Sequence, residues 1–151
     1  MPATSPTAGK IMTTPVYALL AFAVWTYLLL FSTVGWYRWS RILTGRAPIS
    51  SFKAINPKGA DWYLRAMRAH ANCVENLPVF AAVVFAIYVA GINTPAINTL
   101  AVTVPVTRVG QTLVHVALPE SNVSVSLRFA FFFTQVICVL AMAVLLLMEL
   151  R

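Results

Sequence analysis

Between residues 61 and 76 the chain sets Asp61, Arg65, Arg68, Asn72 and Glu75 at steps of four, three, four and three. In a helix those steps stack side chains along one stripe. Asn76 extends the stripe, and His70 lies off it. Guanidinium groups, amides and a carboxylate on one face can pair with one another or line a polar crevice. Which of these is feasible depends on the surroundings, because each such group is costly to bury alone.

Those surroundings are apolar. The 151 residues are 60% hydrophobic and only 10% charged, with a mean hydropathy of +0.79, which places the chain among polytopic membrane proteins. A bilayer core about 30 Å thick is crossed by roughly 20 apolar helical residues, so this length suits a single domain of about four spans. The segments lack the alternation of barrel strands. The expected fold is therefore an all-α integral membrane protein, a four-transmembrane-helix bundle of up-down topology.

Four spans can be drawn. The first runs from about Val16 to Tyr37, with Thr14 and Pro15 as its start signal. The second runs from Trp62 to Ala90, the third from Pro95 to Leu118 and the fourth from Val125 to Met148. The short uncharged turn "GINT" makes the second and third an antiparallel hairpin. Residues 1–14, rich in Pro, Thr, Ser and Ala, are expected to be a flexible tail ahead of a membrane domain over 15–151. The first apolar segment is too long for a signal-peptide core and has only Lys10 before it, so it is expected to remain in the mature protein.

The net charge of +7 could suggest nucleic acid, but the cations are not spread over a soluble surface. Arg38, Arg41, Arg46, Lys53, Lys58 and Arg65 lie between the first two spans with Asp61 as the one acid among them. That asymmetry predicts a cytoplasmic loop over residues 38–65, both termini on the non-cytoplasmic side, and no nucleic-acid partner. Trp36, Tyr37 and Trp39 before the loop and Trp62 and Tyr63 after it read as an aromatic belt at the same interface.

At about 1.5 Å per residue Glu75 lies roughly 15 Å deeper than Arg65, and Arg108 lies about as far from the same side on the antiparallel third span. The two are expected to meet at one level, either to clamp two helices or to line a site. Gln111 and His115 follow Arg108 on its face at steps of three and four, and Arg128 stands near the start of the fourth span. Pro78 frees the Val74 carbonyl and favours a kink there, and Pro105 can act likewise. Arg65 can snorkel to phosphate headgroups. Nothing around His70 has metal-ligand spacing, and Ser124 and Ser126 lack an acid and base for nucleophilic work. Cys73 and Cys138 read as packing residues, and "FAFFF" as lipid-facing bulk.

The string "RAMRAHANCVENLPVF" resembles the second-helix signature of the MAPEG superfamily, the membrane-associated proteins of eicosanoid and glutathione metabolism. Arg68, Ala69, His70, Asn72, Glu75, Asn76 and Pro78 carry the match to the pattern of microsomal glutathione transferases. The resemblance implies a homotrimer embedded in membrane lipid, binding glutathione between subunits on the cytoplasmic side. It implies that Arg68, Asn72 and Glu75 hold the tripeptide's charged ends, that His70 assists, and that Arg108 and His115 face them. It also implies thiol conjugation of a lipophilic small molecule arriving from the bilayer, with peroxidase activity as a variant, and Arg128 as the catalytic group that stabilises the thiolate.

Two departures set an alternative beside the transferase. Tyrosines common on the third helix of active members are replaced by Gly110 or Gln111 and by His115, and Arg128 falls a few residues late. A non-catalytic lipid-binding or scaffold role on the same fold follows if Arg128 points elsewhere. Glutathione itself can be replaced by another small thiol. A transporter or channel subunit would use the polar stripe as a pathway, but the chain lacks repeats and paired broken helices.

Overall fold

The computed structural model describes residues 12–53 and 57–151. Its first helix, α1 (Thr14–Leu43), is α-helical over Thr14–Leu29, π-helical over Leu30–Gly35 and α-helical again over Trp36–Leu43. A short 3-10 turn, Ile49–Ser51, lies in the loop that leads to α2 (Asp61–Ala90). Then come α3 (Pro95–Ala117) and α4 (Asn122–Glu149). Thr14 is already helical, and residues 1–11, where most of the expected tail falls, lie outside the described residues.

Local chemistry explains the ends. The Thr94 side chain accepts the Ile97 N–H at 3.3 Å, with Pro95 at the first helical position. Gly91 ends α2 at φ +70°, the left-handed cap that a residue without Cβ adopts freely. Ser121 and Ser124 form a reciprocal capping box at the start of α4, so Ser124 is buried as a helix cap. Both helices continue through Pro78 and Pro105, each of which leaves out one rung of the backbone ladder.

Three helices among the described residues are long and apolar enough to cross a membrane: α1, α2 and α4. The fourth expected span, α3, falls short of that measure of length and hydropathy. At 23 residues it is long enough, about 35 Å, but Asn98, Arg108, Gln111, His115 and its threonines lower its hydropathy. Those threonines are not loose polar groups. Thr99, Thr103, Thr107 and Thr112 each donate to the carbonyl four residues back, at 2.7–3.0 Å.

The core is one apolar column. Phe22 of α1 meets Phe80 of α2 with ring centroids 6.1 Å apart, and Val84, Ile87, Ile97, Ala101, Val104 and Met142 continue it. Cys73 and Cys138 are buried in it as free thiols. Trp25 Nε1 donates to Thr112 Oγ1 at 3.3 Å and ties α1 to α3. Gly110 allows α3 and α4 to approach closely, since a Cβ there would stand 3.0 Å from the Phe131 ring. Phe131 is thus part of the packing, while Phe129 and Phe133 are exposed and stacked, as expected of lipid-facing bulk.

At the loop end the aromatic belt divides. Trp36 and Trp39 are exposed, but Tyr37 and Tyr63 are buried and stack with centroids 4.1 Å apart. The Tyr37 hydroxyl accepts the Ala60 N–H at 3.1 Å, and Arg38 Nε donates to the Tyr63 hydroxyl at 2.9 Å. This stack fastens the loop to α1 and α2. Gly59 sits against it, where an added Cβ would lie 2.6 Å from Tyr63 Cδ1 and 2.9 Å from the Tyr37 hydroxyl. Gly59→Ala is therefore expected to destabilise the protein by about 2 kcal/mol, read as a lower midpoint of denaturation in detergent micelles.

Candidate functional site

The polar side chains fall into two groups at different depths. The first lies at the loop end of the bundle, where α2 begins, α3 ends and α4 starts. Arg65 donates from Nε and Nη2 to the Val116 carbonyl at 3.3 and 3.2 Å. It caps one of the last carbonyls of α3, which would otherwise lack a partner.

Arg68 pairs with Glu120 in the α3–α4 turn, Nη1 to Oε1 at 2.7 Å, and both side chains are more than half exposed. This is the one ion pair among the described residues. Arg128 donates from Nε to the Ser124 carbonyl at 3.2 Å, and its Nη1 lies 3.2 Å from His115 Nδ1. His115 stands within electrostatic reach of Arg128, Arg68 and Glu120 together. Arg68, His115, Glu120 and Arg128 therefore form one cationic rim with a single acid. An open crevice of about 230 Å³ runs beside it, bounded by Asp61, Arg65, Arg68 and Glu120.

Below the rim, α2 carries Asn72 and Glu75 on its outer face. Asn72 is half-buried and accepts Asn76 Nδ2 through both its carbonyl and its Oδ1, each at 2.8 Å. Glu75 is exposed and has no hydrogen-bond or ion-pair partner among the described residues. His70 is half-buried and likewise makes no hydrogen bond among them. The stripe inferred from spacing thus divides: Arg65 and Arg68 reach the end of α3 and the α3–α4 turn, Asn76 lines the interior, and Glu75 is exposed.

The second group lies inside. Arg108 is 2% exposed. Its guanidinium carbon stands 5.2 Å from the Phe22 ring centroid, and Nη1 donates to Gln111 Oε1 at 2.8 Å. Gln111 Nε2 in turn donates to the Arg128 carbonyl at 3.2 Å, and Gln111 Oε1 also accepts from Gln135 Nε2 at 3.2 Å. The expected meeting of Glu75 and Arg108 does not occur. Glu75 is exposed, while Arg108 is buried against Phe22 and Gln111.

Sequence reasoning passes over Glu120, taken as part of a turn, and Gln135, an amide inside the fourth apolar segment. The signal for Gln135 was available, since an amide within a span requires a partner on another helix. For Glu120 the signal was faint, because only the folded chain brings residue 120 back to residue 68.

The arrangement is that of a helical integral membrane protein with a cationic rim at one end and an acidic, amide-bearing helix face below it. The chain matches the MAPEG family over residues 15–148, nearly its whole length, and belongs to that family. Searches of curated proteins and of solved structures return no match.

Proposed function

We propose that this protein is a glutathione-dependent membrane transferase that conjugates the thiol to lipophilic electrophiles, acting as a homotrimer. What carries the reading is α2, where the exposed, unpartnered Glu75 and the half-buried Asn72 lie below a rim that holds exposed Arg68 and the Arg128–His115 contact. An ionised carboxylate facing hydrocarbon is costly, so a second copy of the chain covering this face, with a polar ligand between the copies, removes the cost.

The donor set suits the ligand. Glutathione brings two carboxylates and one ammonium, and the face offers a guanidinium and amides for the first and a carboxylate for the second. Arg68 is free to change partner, because an exposed ion pair such as that with Glu120 contributes little. His70 adds a ring donor beside them. His115 and Arg128 supply the rim against which the thiol rests, where the guanidinium favours the thiolate, the form that attacks electrophiles. Arg108, buried as it is, acts from behind by holding Gln111. The basic loop is assigned to the cytoplasmic side. All four helices span, α3 being compatible with lipid because its threonine hydroxyls are satisfied within the helix.

Titration calorimetry on protein in nanodiscs provides the test. Saturable glutathione binding is expected for the parent, weakened at least about tenfold by Arg68→Ala, the loss of one charge-assisted contact. A parent that binds neither glutathione nor another small thiol would sink the proposal. The second reading, a non-catalytic lipid-binding member, draws on Arg128's two bonds within its own subunit. It gains ground if lipid copurifies and no general electrophile is conjugated.

A further inference from the structure

Between α2 and α4, about midway along the bundle, lies a cavity of about 120 Å³ that the proposed thiol site does not use. Its lining is aliphatic and aromatic apart from Asn76, Arg108 and Gln135. Two of these, Arg108 at 2% and Gln135 at 4% exposure, each carry a buried atom without a hydrogen-bond partner: Arg108 Nε and Gln135 Oε1.

The polarity of those atoms is fixed by the network around them. Gln111 Oε1 accepts from Arg108, so its amide nitrogen is the group that donates to the Arg128 carbonyl. Because Gln111 offers an oxygen, Gln135 must present its nitrogen there, and that nitrogen also donates to the Phe131 carbonyl at 3.0 Å. Gln135 Oε1 is therefore left as an acceptor. Asn76 spends its nitrogen on Asn72, which leaves its own oxygen as a second acceptor. The lining of this otherwise apolar space thus carries one charged donor and one amide acceptor without partners, with the Asn76 oxygen as a further acceptor.

A carboxylate would satisfy the arginine but meet the two amide oxygens with repulsion. A hydrocarbon would fill the space and leave Arg108 Nε and Gln135 Oε1 unpaired. A hydroxyl does both jobs, accepting from Arg108 and donating to Gln135 or Asn76. At about 120 Å³ the enclosed space is smaller than the roughly 150 Å³ that takes up a benzene ring, so a phenol fits only by extending toward the exposed edge of the lining. Val79 and Leu140, both exposed, stand at the outer edge of the lining, so a lipid-dissolved molecule could enter sideways.

We infer that this cavity is an intramembrane binding site for a small apolar alcohol or phenol, held by its hydroxyl between Arg108, Gln135 and Asn76.

The test uses the full-length protein in nanodiscs and fluorine NMR of two probes of equal shape, para-fluorophenol and para-fluorotoluene. Saturable binding of the phenol is expected, at least about tenfold tighter than the toluene, the value of one to two hydrogen bonds. Gln135→Leu should remove most of that preference. Val136→Phe, which fills the cavity with an apolar ring and spares the polar network, should abolish saturable binding of both probes. Equal affinity for the two probes would mean only an apolar hole and would overturn the inference. So would saturable phenol binding that survives Val136→Phe, or no saturable signal from either probe, as expected of a cavity holding water alone or plugged by a second copy.

Discussion

Replacing Arg128 by leucine is expected to slow glutathione conjugation about 100-fold, the usual cost of losing one donor from a developing or bound anion, while glutathione affinity changes less than about threefold. The guanidinium is braced on two sides, by the Ser124 carbonyl and the His115 ring, and Nη2 has no hydrogen-bond partner among the described residues. On the proposed function, a cation so placed favours the thiolate over the thiol, so a bound thiol is expected to titrate below its ordinary range. Removing the cation raises it again. The rate against pH should consequently rise at more alkaline values in the variant, and the deficit should narrow once both proteins hold mostly thiolate. Arg128→Lys, which keeps the charge but not the two-sided bracing, should fall between them. Stopped-flow turnover of a chlorodinitroarene across pH, with calorimetric affinity alongside, makes the measurement. An unchanged rate and unchanged profile would remove Arg128 from the chemistry and favour the non-catalytic reading.

The largest effect on stability is expected at Gln111. Leucine there leaves the Arg108 guanidinium without its one hydrogen-bond acceptor, the Gln135 amide with one acceptor fewer, and the Arg128 carbonyl without its amide donor. Stranding a buried charge in this way costs about 3 kcal/mol or more. The cause can be separated from packing by adding Arg108→Met, which removes the stranded charge and keeps much of its volume. The double variant should recover most of the loss, giving a coupling of at least about 2 kcal/mol between two residues in direct contact. Denaturation of the parent, both single variants and the double variant in the same micelles supplies the cycle. Additive losses would show that Arg108 does not depend on Gln111.

These two residues also mark where sequence reasoning stops. Hydropathy and rise per residue placed the four helices to within a few residues at most ends, and the Thr-Pro start of α3 was read from its letters. The second-helix signature was enough to identify the family. The helical rise sets the order of residues along each helix. Rotation about the helix axis was not legible, because it depends on which neighbour each face meets. Arg108 turned inward to Phe22 and Gln111, and Glu75 turned outward. Contacts that close over long stretches, such as Arg68 with Glu120, or Tyr37 on Tyr63, needed the folded chain.

By average hydropathy α3 falls short of the other three spans. Its arginine, histidine and glutamine lie on the side that faces the other helices, where the bundle supplies partners that a hydropathy average cannot see.

The π-helical stretch Leu30–Gly35 has its own consequence for α1. Such a segment accommodates about one residue more than the regular ladder would, and each residue is worth about 100° of rotation. The rod is thereby split into two independently phased halves, like two cams keyed at different angles on one shaft. The upper half can keep Phe22 against the apolar column while the lower half turns Tyr37 and Arg38 toward Tyr63, with no change in the length of either flanking segment.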